Sequence, residues 1–89
     1  MKPYISMLQV RGFIIERCKL YGIKESEIRF VTMRAGQQLI DVDLRFVRGG
    51  PIGGCIYKES AISLKQNWEN RLGKRLDCTL ELMKKDGYI

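Results

Sequence analysis

Residues 39–48 read LIDVDLRFVR, and this stretch decides the fold of the 89-residue chain. Every second side chain is apolar: Ile40, Val42, Leu44 and Phe46. The side chains between them are charged: Asp41, Asp43 and Arg45. Because successive side chains of a strand point to opposite faces of a sheet, this alternation predicts a strand with one buried face and one solvated face.

Further strands are predicted on both sides of this stretch. Residues 28–34 predict a partner strand, and Ala35-Gly36-Gln37-Gln38 supplies the turn of a hairpin. Residues 49–54 predict a loop, because four glycines and Pro51 hold regular structure poorly. Residues 55–57 then form a candidate short third strand.

A helix is predicted over residues 4–21. Its apolar positions recur every three or four residues: Met7, Val10, Ile14, Cys18 and Tyr21. Gly22 is typical of a left-handed helix end, with Ile23 packed back onto Cys18. A short strand over residues 5–10, followed by a shorter helix, is the alternative.

The C-terminal third predicts a second helix and a last strand. Ser60 is the expected helix cap, with Lys58 or Glu59 as alternative starts, and Gly73 is the expected helix end. The helix buries one stripe: Ala61, Leu64, Trp68 and Leu72. Residues 76–82 alternate again and predict a strand whose inward side chains are Leu76, Cys78, Leu80 and Leu82. Residues 84–89 predict a frayed polar tail.

These elements predict an α+β fold in the order α-β-β-(β)-α-β. Each strand has one apolar face and each helix one apolar stripe, so a two-layer sandwich buries them with the fewest layers. We expect one small domain over residues 1–89, with two helices on one face of a three- or four-stranded, mostly antiparallel sheet.

The composition argues against most catalytic sites. The chain contains no histidine, which excludes Ser-His-Asp and Cys-His nucleophile pairs. It contains no Cys-x-x-Cys pair, which argues against a zinc site. We therefore expect a non-catalytic protein without a metal or cofactor.

One catalytic alternative rests on carboxylates. Asp41 and Asp43 lie on one face of a predicted strand and, with Glu16, could hold Mg²⁺ for phosphodiester cleavage. The predicted order also resembles the core of restriction-endonuclease-like nucleases, which carry an acid, one residue and a lysine on the third strand. The corresponding residues 56–58 read Ile-Tyr-Lys, so the acid is missing.

The remaining sequence features favour a cytoplasmic protein. No apolar run approaches the roughly 20 residues that span a bilayer, and no signal-peptide pattern is present. The cysteines are Cys18, Cys55 and Cys78, an odd number at wide spacing. We expect them to be reduced, buried and inert thiols.

The charge favours nucleic acid, DNA or RNA, as the partner. The formal net charge is +6, spread evenly along the chain. Arginine pairs with phosphate through two parallel hydrogen bonds, and exposed glycine amides can approach it closely. The expected phosphate contacts, with weak sequence selectivity, are Arg34, Arg45, Arg48, Gly49, Gly50, Lys58, Lys74 and Arg75. The alternative is that the glycine loop is only a connection between elements, which is the commoner use of such loops.

The alternative partner is a protein. A two-layer sandwich leaves one sheet face and the strand edges open, which suits an adaptor, an inhibitor or a homodimer. The apolar side chains predicted on the open face are Val31, Met33 and Val47.

Overall fold

Two helices and three strands form the fold of the computed structural model, which describes residues 6–35, 39–48, 55–63 and 67–89. In chain order the elements are α1 (Met7–Lys19), β1 (Ile28–Ala35), β2 (Leu39–Phe46), β3 (Cys55–Ser63) and α2 (Trp68–Lys85). A short 3₁₀ turn, Glu25–Glu27, precedes β1. The predicted turn at residues 36–38 and the glycine loop at 49–54 lie outside the described residues.

The strands form an antiparallel sheet in the order β1-β2-β3. Helix α1 contacts β1, α2 contacts β3, and the two helices contact each other. The apolar face of β2 is buried as predicted, and it forms one core with residues of α1, α2, β1 and β3. The α+β two-layer arrangement is therefore confirmed, with the order α-β-β-β-α and no strand after α2.

Both ends of α1 follow from its sequence. At the start, the Gln9 amide donates to Ser6 Oγ (3.1 Å), and the Ser6 amide donates to Gln9 Oε1 (3.0 Å), forming a capping box. At the end, Gly22 has φ +82°, and the Ile23 amide donates to the Cys18 carbonyl at 3.0 Å. The predicted glycine cap is confirmed, and the alternative strand is wrong for residues 7–10.

A bulge in β1 changes which side chains face the core. Phe30 pairs with Leu44, Thr32 pairs with Asp43, and Val31 is the extra residue between them. An extra residue shifts the alternation by one position. Met33 therefore pairs with Val42 on the helix-covered face and packs against the core, so its predicted place on the open face is wrong.

Helix α2 replaces the predicted helix over residues 60–73 and the predicted last strand. Ser60 lies within β3, whereas the helix runs from Trp68 to Lys85. Its buried stripe is Trp68, Leu72, Leu76, Leu80 and Met83. A spacing of four residues is both one helical turn and an even number, so Leu76 and Leu80 fit either period.

Three further predictions in this region are wrong. Cys78 and Leu82 are exposed, because they lie on the solvent side of a helix rather than on the inner face of a strand. Gly73 does not end the helix but is buried inside it, where an added Cβ would lie 2.6 Å from Arg17 Nη2 on α1. The predicted frayed tail is also wrong, since the helix continues to Lys85 and Ile89 packs against the core.

The interface of α1 with α2 combines apolar and ionic contacts. The rings of Phe13 and Trp68 lie 5.5 Å apart at 58°, so the predicted core position of Trp68 is confirmed. Arg17 lies over the Phe13 ring and donates to Asp77 Oδ2 at 3.3 Å. Within the described residues, neither α1 nor α2 is long and apolar enough to cross a membrane.

Candidate functional site

A groove of about 990 Å³ lies between the edge strand β3 and helix α2. We call it the β3–α2 groove. Its lining residues are Ile56, Tyr57, Lys58, Glu59, Ile62, Arg71, Lys74, Arg75, Cys78 and Thr79. The described residues thus contribute four cations and one carboxylate to this groove.

The cations occupy both walls of the β3–α2 groove. Lys58 lies on the β3 wall, and the other three lie on α2: Arg71, Lys74 and Arg75. Helical residues three and four positions apart are neighbours on one face, so the α2 cations form one continuous basic stripe. An anion in the groove therefore has positive side chains on two sides.

Carboxylates compensate only part of this positive charge. Arg75 Nη1 donates to Glu59 Oε1 at 3.1 Å, and Lys58 Nζ lies 3.7 Å from Asp43 Oδ2. Arg71 and Lys74 have no carboxylate partner within the part of the chain that the structure describes. These two exposed cations are available to a ligand without breaking an ion pair.

The uncharged residues that line the groove are mixed in character. Ile56 is 53% exposed and offers an apolar surface. Tyr57 is buried, and its hydroxyl oxygen has no hydrogen-bond partner among the described residues. Burial raises the pKa of Tyr57 well above its usual value, and the charge of Glu59 adds to this, so the hydroxyl stays protonated.

Three of the predicted phosphate contacts lie in the groove: Lys58, Lys74 and Arg75. Sequence reasoning missed Arg71, because the helix was predicted to end at Gly73 and the basic stripe was cut in two. A helix over residues 68–85 would have placed Arg71, Lys74 and Arg75 on one face. The groove itself has no sequence signal, since it depends on how α2 packs beside β3.

The other predicted phosphate contacts lie elsewhere. Arg34 and Arg45 stand on the open face of the sheet, where Arg34 Nη2 donates to Asp41 Oδ2 at 3.0 Å. Arg48 Nε donates to Glu27 Oε2 at 2.6 Å, and this bond lowers the pKa of Glu27. The predicted contacts Gly49 and Gly50 fall outside the described residues.

The side chains predicted to form a protein interface do not lie together on one surface. Val31 and Val47 are 58% and 54% exposed, whereas Met33 faces the core. The three residues therefore do not form one apolar patch on the open face of the sheet.

The carboxylates of the nuclease alternative do not converge. Asp41 and Asp43 stand on the open face of the sheet, whereas Glu16 lies on α1, which covers the opposite face, and pairs with Lys19 at 3.3 Å. Within the described ranges, no group of three potential ligands of a metal ion occurs. This alternative therefore finds no support in the geometry.

The two cysteines whose side chains are described differ in environment. Cys18 is buried, and burial raises the pKa of its thiol to about 12. This agrees with an inert core thiol. Cys78 is exposed and lines the β3–α2 groove, so the prediction of a buried thiol is wrong for this residue. The side chain of Cys55 is not among those described.

No family model, curated protein or solved structure matches this chain. The charge and shape of the β3–α2 groove are therefore the features that bear on function.

Proposed function

We propose that this chain is a small, non-catalytic module that binds nucleic acid in the β3–α2 groove. The observation that carries the proposal is the placement of cations on both walls of the groove: Lys58, Arg71, Lys74 and Arg75. Among them, Arg71 and Lys74 lack a carboxylate partner among the residues described.

The mechanism is neutralisation of backbone phosphates. Each lysine or arginine that contacts a phosphate releases condensed counterions, which drives binding and makes it salt-dependent. The planar guanidinium of Arg71 suits two parallel hydrogen bonds to one phosphate, and Lys74 adds a point charge one turn along the helix. Phosphate contacts carry no sequence information, so we expect weak sequence selectivity.

The proposal is tested by fluorescence anisotropy with labelled DNA and RNA, single-stranded and duplex, between about 50 and 200 mM salt. The informative variant is Arg71→Gln with Lys74→Gln. The matched control is Lys84→Gln with Lys85→Gln, on the same helix. Both double variants lower the net charge from +6 to +4.

The control separates a local site from a general charge effect. Lys84 lies ten residues from Lys74, which is about 15 Å along the helix axis. This distance exceeds the Debye length of about 8 Å at physiological salt. A phosphate bound at Arg71 and Lys74 is therefore screened from the control positions.

We expect the groove variant to weaken binding at every sequence. The slope of log affinity against log salt should fall by about 1.4 on single strands or about 1.8 on duplexes, and the control should keep most of the wild-type slope. Equal losses in the two double variants would refute a site in the groove. Circular dichroism spectra identical to wild type are required of both variants.

A second candidate function is protein interaction through a strand edge, including homodimerisation. It is favoured by the exposed apolar side chains on the two edge strands, Val31 on β1 and Ile56 on β3. Light scattering after size exclusion tests it. A dimer through β1 should dissociate in Val31→Lys, and a dimer through β3 should dissociate in Ile56→Lys.

We also propose a cytoplasmic location, where thiols such as Cys18 stay reduced.

A further inference from the structure

Two arginines face each other on the open side of the sheet. Arg29 on β1 pairs directly with Arg45 on β2. Side chains at directly opposed positions have Cβ atoms only about 4.5–5.5 Å apart. Neither guanidinium has a carboxylate partner among the described residues, and the neighbouring Asp43 is already paired with Lys58.

This pair carries a cost that a bound anion would remove. Like charges directly opposite one another destabilise a sheet. A phosphate between two guanidinium groups converts this repulsion into charge-assisted hydrogen bonds. The opposed arginines are therefore a candidate phosphate clamp.

The arginine pair and the β3–α2 groove belong to one continuous surface. Ile56 on β3 pairs with Arg45, so the outward row reads Arg29, Arg45, Ile56 across the sheet. Ile56 and the next outward residue, Lys58, also line the groove. The open face and the groove thus meet at the edge of β3.

We infer that the ligand is a single strand of nucleic acid, which leaves the groove, crosses the edge of β3 and ends between Arg29 and Arg45. This inference rests on the proposed function and names its substrate class. The path crosses one and a half strand spacings of about 4.8 Å each and a layer of about 10 Å, roughly 17 Å in all. At the axial rise of about 3.4 Å per nucleotide of a stacked strand, this length corresponds to roughly five nucleotides.

The bend in this path selects against a duplex. The strand must turn from the sheet edge onto the sheet face within a few nucleotides. Duplex DNA has a persistence length of about 500 Å, so it cannot follow such a turn without a large deformation cost. A single strand turns by rotation about its backbone bonds.

The test compares thymidine oligonucleotides of roughly 4 and 12 residues with a 12-base-pair duplex, again by anisotropy. The variant is Arg29→Gln with Arg45→Gln, and Lys84→Gln with Lys85→Gln is again the control. The variant should lower the salt slope for the longer oligonucleotide by about 1.4 and leave the shorter one, which fills only the groove, unchanged. The duplex should bind wild type at least about tenfold more weakly than the longer strand.

A second readout concerns the protein without ligand. Because Arg29→Gln removes the like-charge pair, it should raise the melting temperature by about 1–5 °C at low salt, and high salt should abolish this gain. A purely structural role for Arg29 predicts a lower melting temperature instead.

The results separate this inference from the proposed function. If Arg71→Gln with Lys74→Gln weakens binding but the Arg29/Arg45 variant behaves like the control, only the clamp is refuted. Duplex binding as tight as single-strand binding would refute the inference that the ligand is a single strand. If the groove variant itself binds like wild type, the proposed function fails.

Discussion

The exposure of two leucines in α2 gives the sharpest test of the fold. Leu80 is fully buried, whereas Leu82, two residues later in the same helix, is 59% exposed. A strand over residues 76–82 would point both side chains inward. We therefore compare Leu80→Ala with Leu82→Ala, which make the same chemical change at two positions of one helix.

The expected magnitudes follow from burial. Replacing a fully buried leucine by alanine costs about 2–5 kcal/mol, from lost transfer free energy and from the cavity. Replacing a mainly exposed one costs about 0.5 kcal/mol or less. The unfolding entropy of about 2.1 cal/mol/K per residue makes 1 kcal/mol equivalent to about 5 °C in a chain of 89 residues. A loss of about 3 kcal/mol at Leu80 should therefore lower the melting temperature by about 15 °C.

The assay is thermal and urea unfolding of both variants, followed by circular dichroism. The helix propensities change equally in the two variants, so the difference between them reports burial alone. Similar losses at both positions would mean that this segment is not the helix described. A larger loss of stability in Leu82→Ala would mean that the opposite face of α2 packs against the core.

The bulge in β1 and the ion pair that precedes it give two further predictions. Met33→Glu should destabilise the fold by about 2 kcal/mol or more, because it places a carboxylate on the core-facing side of β1. Val31→Glu should cost about 0.5 kcal/mol or less. Equal unfolding midpoints of the two variants would refute the bulge. The pKa of Glu27 is lowered because Arg48 donates to its carboxylate. The ion pair therefore stabilises the fold above the unfolded pKa of about 4.3, and this stabilisation is lost as the pH falls through the folded pKa. Urea unfolding should therefore find Glu27→Gln less stable than wild type at pH 7, and the gap should close as the pH falls below about 4.3 and through the lower folded pKa. A gap that stays constant with pH would contradict this.

Elements whose signals are local could be predicted from the order of residues. The alternation over residues 39–46 fixed both the strand and its buried face, because a strand has a period of two and a wrong register would bury Asp41 and Asp43. The helix end at Gly22 was also readable, since glycine adopts positive φ without strain and its hydrogen bonds stay within the last turn.

The remaining features depend on contacts between segments that are distant in the chain. The bulge at Val31 depends on how β1 pairs with β2, so nothing in the β1 sequence alone turns Met33 towards the core. The spacing of four between Leu76 and Leu80 fits a helix and a strand alike, and packing against α1 and β3 settled the choice. The β3–α2 groove and the opposed Arg29 and Arg45 exist only where separate segments meet, because charge at a site depends on distances in space and not on spacing along the chain.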